Sequence, residues 1–271
     1  MGMSLLFLIK AIIYQSIFPN DLIAPVIQTA TPAAAKRVKR YIGSSGLYYS
    51  LYLPSYWASN KRKYRCIFDS PGNIYNPYNG TVDDPILGYG ITGGQYVWVV
   101  APFLNTNGTA SLNNWWGTGT YTSEAQATVD YWLLIIDDLI TNFNVDPNHI
   151  VLTGFSRGAI ACHHIGCYND TIAAKWKAFI PFAHMDAGTY ATIDSPTRLA
   201  RTNNRKTLVL VGVNDELSTI NNSKAGRDIL LSYNYPTEYI EINGYGHSPN
   251  WSLLGNNQQT VYVRNWIFNL K

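Results

Sequence analysis

The sequence predicts an α/β domain with a mostly parallel central sheet, helices on both faces and an antiparallel N-terminal hairpin. Three observations carry that class. Short β-branched and aromatic runs alternate with segments of helical apolar spacing, as in repeated strand–helix–strand units. Two alternating runs surround Gly43-Ser44-Ser45-Gly46, a hairpin signal. The apolar run Ile150-Val151-Leu152-Thr153 leads straight into Gly154-Phe155-Ser156-Arg157-Gly158, a sharp strand-to-helix junction.

Residues 1–36 lack this alternation, and Thr31-Pro32-Ala33-Ala34-Ala35 reads as a linker, so 1–36 is expected to be an extension and 37–271 the folded body. The extension suits an anchor, a packing arm or a processed leader. The hairpin spans Lys39 to Leu53 and is closed by Pro54, which cannot donate to a ladder. Tyr64 to Phe68 is the next strand and ends in the turn-forming Asp69-Ser70-Pro71-Gly72-Asn73. Tyr96 to Ala101 is apolar without alternation, as expected of a strand covered on both faces. Thr122-Ser123-Glu124 caps a helix through Leu139, with Asp137 and Asp138 on its wet side. Asp146-Pro147-Asn148 is read as the turn into the junction strand. Lys177 to Ala183, Thr207 to Val211 and Glu238 to Ile242 are further strands, interleaved with helices around Asp228 to Tyr233 and Val261 to Leu270.

The totals exclude several classes. Of 271 residues, 46% are hydrophobic and 14% charged, the balance of a globular protein, and one domain with an extension accommodates the length. A net charge of +3 is too mild for nucleic-acid binding. The basic clusters Lys36-Arg37-Lys39-Arg40 and Lys61-Arg62-Lys63 flank strands and read as solvated strand ends. Three cysteines, Cys66, Cys162 and Cys167, cannot form a disulfide framework. The apolar Leu5 to Ile13 segment is broken by Lys10 and is too short to span a bilayer, so no stable membrane span is expected. Both a secreted and a cytoplasmic location stay open, as does the oligomeric state.

The chemistry concentrates at Ser156. Glycines on both sides of a serine in such a turn remove Cβ atoms that would collide with the neighbouring strand and helix, leaving the hydroxyl clear of the sheet. A serine hydroxyl needs a base, and the base needs a fixed tautomer. His247, in the glycine-rich loop Asn243-Gly244-Tyr245-Gly246 after the last strand, can reach it. His163 and His164 lie on the following helix and are expected to pack inward, and His149 enters the junction strand from its far end. The orienting acid is expected at a strand end between serine and histidine in chain order. Asp215 fits, and Asp186 is the competing carboxylate. Oxyanion donors are expected from the backbone amide of Arg157 and from Gly72 or Asn73. Cys162, His163, His164 and Cys167 do not gather around one point on a helix, so no metal is predicted. Trp115, Trp116 and Trp251 are candidate exposed aromatics for substrate binding.

Taken together, Tyr52-Leu53-Pro54, Ser70-Pro71-Gly72-Asn73, Asp146-Pro147-Asn148-His149-Ile150, Gly154 to Gly158, Asp215 and Gly246-His247 resemble the α/β-hydrolase superfamily. Within it the likeness is to polyhydroxybutyrate depolymerases and feruloyl or acetylxylan esterases, and it runs from Tyr48 to the C-terminus. The resemblance implies Ser156 as nucleophile, Asp215 as acid, His247 as base and the Arg157 amide in the oxyanion hole, with carboxylic esters cleaved without a cofactor. The expected substrates are acylated carbohydrates or small polyester-like esters. A serine peptidase and a non-catalytic binding or structural module on the same scaffold are the alternatives. About 23 residues separate the strands ending near Ala183 and beginning near Thr207, too few for a large lid domain. The cleft is therefore expected to be open, narrowed by the loops Ile74–Gly94 and Leu104–Thr120.

Overall fold

Strands and helices form where those patterns fall. The computed structural model describes residues 20–43, 46–59, 62–115, 122–185, 196–202 and 204–271. The elements are β1 (Ile27–Gln28), β2 (Arg37–Tyr41), β3 (Tyr48–Tyr52), β4 (Tyr64–Ser70), α1 (Leu87–Ile91), β5 (Val97–Val100), β6 (Phe103–Leu104), β7 (Ser111–Leu112), α2 (Thr122–Phe143) and β8 (Val145–Phe155). They continue as α3 (Arg157–His164), α4 (Asp170–Ala173), β9 (Ala178–Phe182), α5 (Pro196–Thr202), β10 (Lys206–Gly212), α6 (Ile220–Ser232), β11 (Thr237–Ile242), a 3₁₀ turn (Pro249–Leu253) and α7 (Gln258–Phe268).

The main sheet runs β1-β2-β3-β5-β4-β8-β9-β10-β11. Only β3 opposes its neighbours, pairing antiparallel with β2 and β5, while the remaining pairs are parallel. This is the α/β-hydrolase architecture. The order turns back at β4: the chain goes to β5 on one side and then to β8 on the other. At such a switch point the strand ends diverge and leave a crevice beyond their carboxyl termini.

The central parallel strands β5, β9 and β10 are buried on both faces, which explains their unbroken apolar runs. Cys66 and Phe68 of β4 face α2 and α3 with Val129, Trp132, Ile136 and Ala161, whereas Ile67 faces α1 and α7 with Leu87, Ile91, Val263 and Ile267. Trp132 is wholly buried, and its ring N–H donates to the Pro102 carbonyl at 3.0 Å, so the indole is covered without an orphaned donor.

Three expectations change. Asp146-Pro147-Asn148 lies inside β8 as an irregularity: Tyr64 pairs with Val145 and Cys66 with Ile150, and the intervening residues loop outward around an Asp146 turn that accepts the Asn148 amide. Arg37 is buried, donating to Ser50 Oγ at 2.6 Å and the Val82 carbonyl at 2.8 Å while its guanidinium lies 4.2 Å from the Trp98 ring centre. Arg40 holds Asp138 in a two-pronged pair, and Tyr49 donates to the same carboxylate, so Asp138 ties α2 to the hairpin instead of facing water. Arg37, Lys39 and Arg40 fall on both faces of β2, so they cannot all be solvated when one of those faces is core.

Of the 1–36 segment, residues 20–36 lie against the body. Leu22 N–H donates to the Leu253 carbonyl, Asp21 accepts the Gly255 amide, and β1 extends the sheet beside β2.

Candidate active site

Ser156 follows the last residue of β8 and precedes α3 with φ 57° and ψ −120°, a conformation that side-chain-bearing residues rarely adopt. The flanking glycines explain how it is sustained. A Cβ on Gly154 would collide with the Gly158 carbonyl and stand 2.6 Å from Ser70 Oγ. One on Gly158 would collide with the Ser70 carbonyl oxygen and stand 2.9 Å from its carbon. The Ser156 N–H is held by the Phe182 carbonyl of β9 at 2.9 Å, and Ser70 Oγ donates toward the Gly158 carbonyl at 3.1 Å. The junction is thus clamped between β4 and β9.

His247 arrives on the loop after β11, with Nε2 2.9 Å from Ser156 Oγ and Nδ1 2.9 Å from Asp215 Oδ2. Asp215 follows β10, and its Oδ1 also accepts the amides of Leu217 at 3.0 Å and Ser218 at 2.7 Å. Those two bonds fix the carboxylate before the imidazole reaches it. A carboxylate can only accept, so the hydrogen sits on Nδ1 and the Nε2 lone pair faces the serine hydroxyl. The imidazole packs against Phe155, with ring centres 4.6 Å apart. The competing Asp186 lies outside the described residues.

The Arg157 amide starts α3 beside Ser156, and Gly72 comes so close that a Cβ there would be 3.4 Å from the Cβ of Ser156. Asn73 lines the same cleft, and its side-chain oxygen accepts the Trp115 amide at 2.7 Å, tying the loop after β4 to the 113–115 segment. The cleft is walled by Tyr75, Tyr78, Ile86, Leu87, Phe155 and Pro249 together with Ser156 and His247. The Ile74–Gly94 loop therefore supplies one wall. Asp84 braces that loop by accepting the Asn79 and Thr81 amides, both at 2.9 Å.

The tryptophan expectation is not met. Trp115 and Trp251 are fully buried: Trp115 stacks on Phe103 at 4.9 Å, and Trp251 packs edge-on to Phe182 at 5.5 Å. Both rings are needed to fill space under the loops that carry the site. Trp116 lies outside the described residues. The aromatic rim is instead formed by Tyr78 and by Tyr75, which is 59% exposed. His163 and His164 are buried on α3, as their helical position suggested, and burial lowers their pKa values to about 4 and about 3. Cys66, Cys162 and Cys167 are buried thiols whose pKa values burial pushes up.

Asp69 was not singled out by sequence. It is wholly buried at the end of β4, where Oδ2 accepts the Gly88 amide at 2.9 Å and the Trp98 ring N–H at 3.3 Å. Burial raises its pKa to about 7, against the opposing pull of those donors and of Arg37. An acid one residue before the Ser-Pro-Gly turn looks like ordinary turn chemistry in sequence, which hid it.

No helix among the described residues is long and apolar enough to cross a membrane. No protein-family model matches the chain, and no curated sequence matches significantly. Solved structures do match. A thermostable esterase is 16% identical with a TM-score of 0.55 over 86% of this chain and 62% of its own. A truncated carbohydrate esterase from gut microbiota is 15% identical with a TM-score of 0.52 over 82% of this chain and 90% of its own. Dipeptidyl peptidase 4 of Porphyromonas gingivalis is 16% identical with a TM-score of 0.56, over 88% of this chain and 36% of that longer one. At these identities the likeness is one of fold.

Proposed function

We propose that the protein is a serine carboxylic-ester hydrolase working through an acyl-enzyme on Ser156. The observation that carries this is the hydrogen-bonded chain from Ser156 Oγ through His247 to Asp215, at the carboxyl ends of β8, β11 and β10. As Ser156 Oγ attacks the ester carbonyl carbon, its proton passes to His247 Nε2, and the imidazolium is stabilised by Asp215. The oxyanion meets the Arg157 amide and an amide of the Gly72-Asn73 turn. Collapse breaks the carbon–alkoxy bond, and His247 returns the proton to the departing alcohol. Water then repeats the cycle on the acyl-serine.

The substrates best suited to the cleft are acyl groups carried on a carbohydrate, or small polyester-like esters. Apolar Ile86, Leu87 and Phe155 line its interior, while Tyr75 and Tyr78 offer ring faces on which a sugar can stack. The gut-microbiota carbohydrate esterase is a fold neighbour that fits this choice.

The test is Ser156→Ala assayed on short-chain nitrophenyl esters, acetylated xylan fragments and dipeptide nitroanilides. Ester turnover is expected to fall by up to about a million-fold. Undiminished ester hydrolysis by the variant rejects the proposal, and a wild-type preference for the nitroanilides redirects it to a peptidase.

A further inference from the structure

Two elements that line the cleft pack against each other. One wall is α1 with the preceding Ile86, and the other begins at His247 and continues through Pro249 into the 3₁₀ turn. Neither is a long element, and α1 contains two glycines in five residues, so local propensity alone does not hold it. Besides the burial of Leu87 and Ile91, buried polar chemistry at both ends holds it. At its start, Asp69 accepts the Gly88 amide. Near its end, the buried Arg264 of α7 donates through Nε to the Gly90 carbonyl at 3.0 Å and through Nη2 to the Ser252 carbonyl at 3.0 Å.

One guanidinium therefore spans from the cleft-wall helix to the segment five residues beyond the base. A planar fork with fixed donor spacing is suited to that, because it sets a distance as well as an attraction. The two walls also touch directly: a Cβ on Gly90 would collide with Ser252 Oγ and lie 2.7 Å from the Ser252 carbonyl carbon. The 3₁₀ side is secured from behind by Thr260 Oγ1 on the Trp251 carbonyl at 2.8 Å and by the N-terminal arm, where the Leu22 N–H donates to the Leu253 carbonyl at 2.8 Å.

We propose that Arg264 is a positioning residue that fixes the width of the ester cleft by latching α1 to the Pro249–Leu253 turn, and so determines which acyl sizes are accepted. This rests on the esterase reading above. Arg264 touches no reacting atom. Ser156, His247 and Asp215 are held by separate bonds, so loosening the latch is expected to change fit more than chemistry.

The experiment compares wild type with Arg264→Met, Arg264→Lys and Gly90→Ala, as full chains, on nitrophenyl acetate, butyrate and octanoate. Arg264→Met removes both donors, and Gly90→Ala wedges the same two walls apart by a different route. In both, the octanoate-to-acetate ratio of kcat/KM is expected to rise roughly tenfold through KM, with acetate kcat within about threefold of wild type. Arg264→Lys, keeping the charge but losing the planar fork that reaches both carbonyls, is expected to fall between. If Arg264→Met is insoluble, Gly90→Ala carries the same expectation and Arg264→Lys the intermediate one. Folded variants with wild-type ratios, even at lowered Tm, overturn the role assigned to Arg264, as does a fall in kcat with KM unchanged. A wild-type protein inert to all three esters and to a fluorophosphonate overturns the esterase reading itself, so the two failures are distinguishable.

Discussion

Gly158→Ala places a methyl group where α3 crosses the end of β4. The new Cβ would sit 2.9 Å from the Ser70 carbonyl carbon and closer still to its oxygen, and both neighbours are backbone. Reaching an ordinary contact of 3.4 Å at that carbon alone requires the two chains to part by about 0.5 Å, and the oxygen demands more. Overpacking of this kind costs about 1–3 kcal/mol. The same parting moves the Arg157 amide away from the Pro71-Gly72-Asn73 turn, the two sides proposed to supply the oxyanion donors. Misplacement approaching 1 Å costs on the order of 100-fold in rate. The assay is nitrophenyl acetate hydrolysis beside thermal unfolding of the same preparation. A graded control is Gly72→Ala, whose Cβ would meet the Phe155 carbonyl oxygen at 3.4 Å and so cost far less stability. A Gly158→Ala protein with wild-type rate and Tm refutes the close-packed junction on which the site depends.

Asp215→Ala is expected to lower kcat by about 10⁴-fold with little change in KM, because the imidazole loses its tautomer while the cleft is untouched; steady-state kinetics decide this. Acid is expected to destabilise the fold through His163 and His164: their folded pKa values, about 4 and about 3, lie below the unfolded value near 6.5. The unfolded chain therefore binds protons first, and stability present above pH 6.5 is lost as pH falls, by roughly 2 kcal/mol per histidine at pH 5. Denaturant titrations at pH 7 and 5, with His163→Gln flattening the slope, check it. Asp69 works in the opposite sense, since its folded pKa of about 7 exceeds the ordinary carboxyl value of 3.8 and stability is lost as pH rises between them. Asp69→Asn is expected to gain on wild type by on the order of 3 kcal/mol from pH 4 to pH 8, and a constant difference contradicts that origin.

Most of the scaffold was legible because parallel strands covered on both faces write themselves as apolar runs, and Ile150 to Thr153, Lys177 to Ala183 and Thr207 to Val211 are such runs. Ser156 and its partners were legible because the junction needs glycine at both flanks and the partners need loops at strand ends. Helix α1 was not, because Gly88 and Gly90 argue against a helix. They are there for space: a Cβ on Gly88 would lie 2.8 Å from the Trp98 ring, and one on Gly90 would strike Ser252. Arg37 and Arg264 were also hidden, since an arginine reads as surface until buried carbonyls are seen to receive it. Trp115 and Trp251 misled for the converse reason. Sequence gives an indole's chemistry but not which way it faces, and these two fill the interior.

If Ser156 is the nucleophile and His247 its base, intact-mass and peptide mapping after exposure to a fluorophosphonate will find a single adduct on Ser156, absent in Ser156→Ala and formed far more slowly in His247→Ala. Labelling at another residue, or ester hydrolysis that continues in protein bearing the Ser156 adduct, rules the proposed nucleophile out.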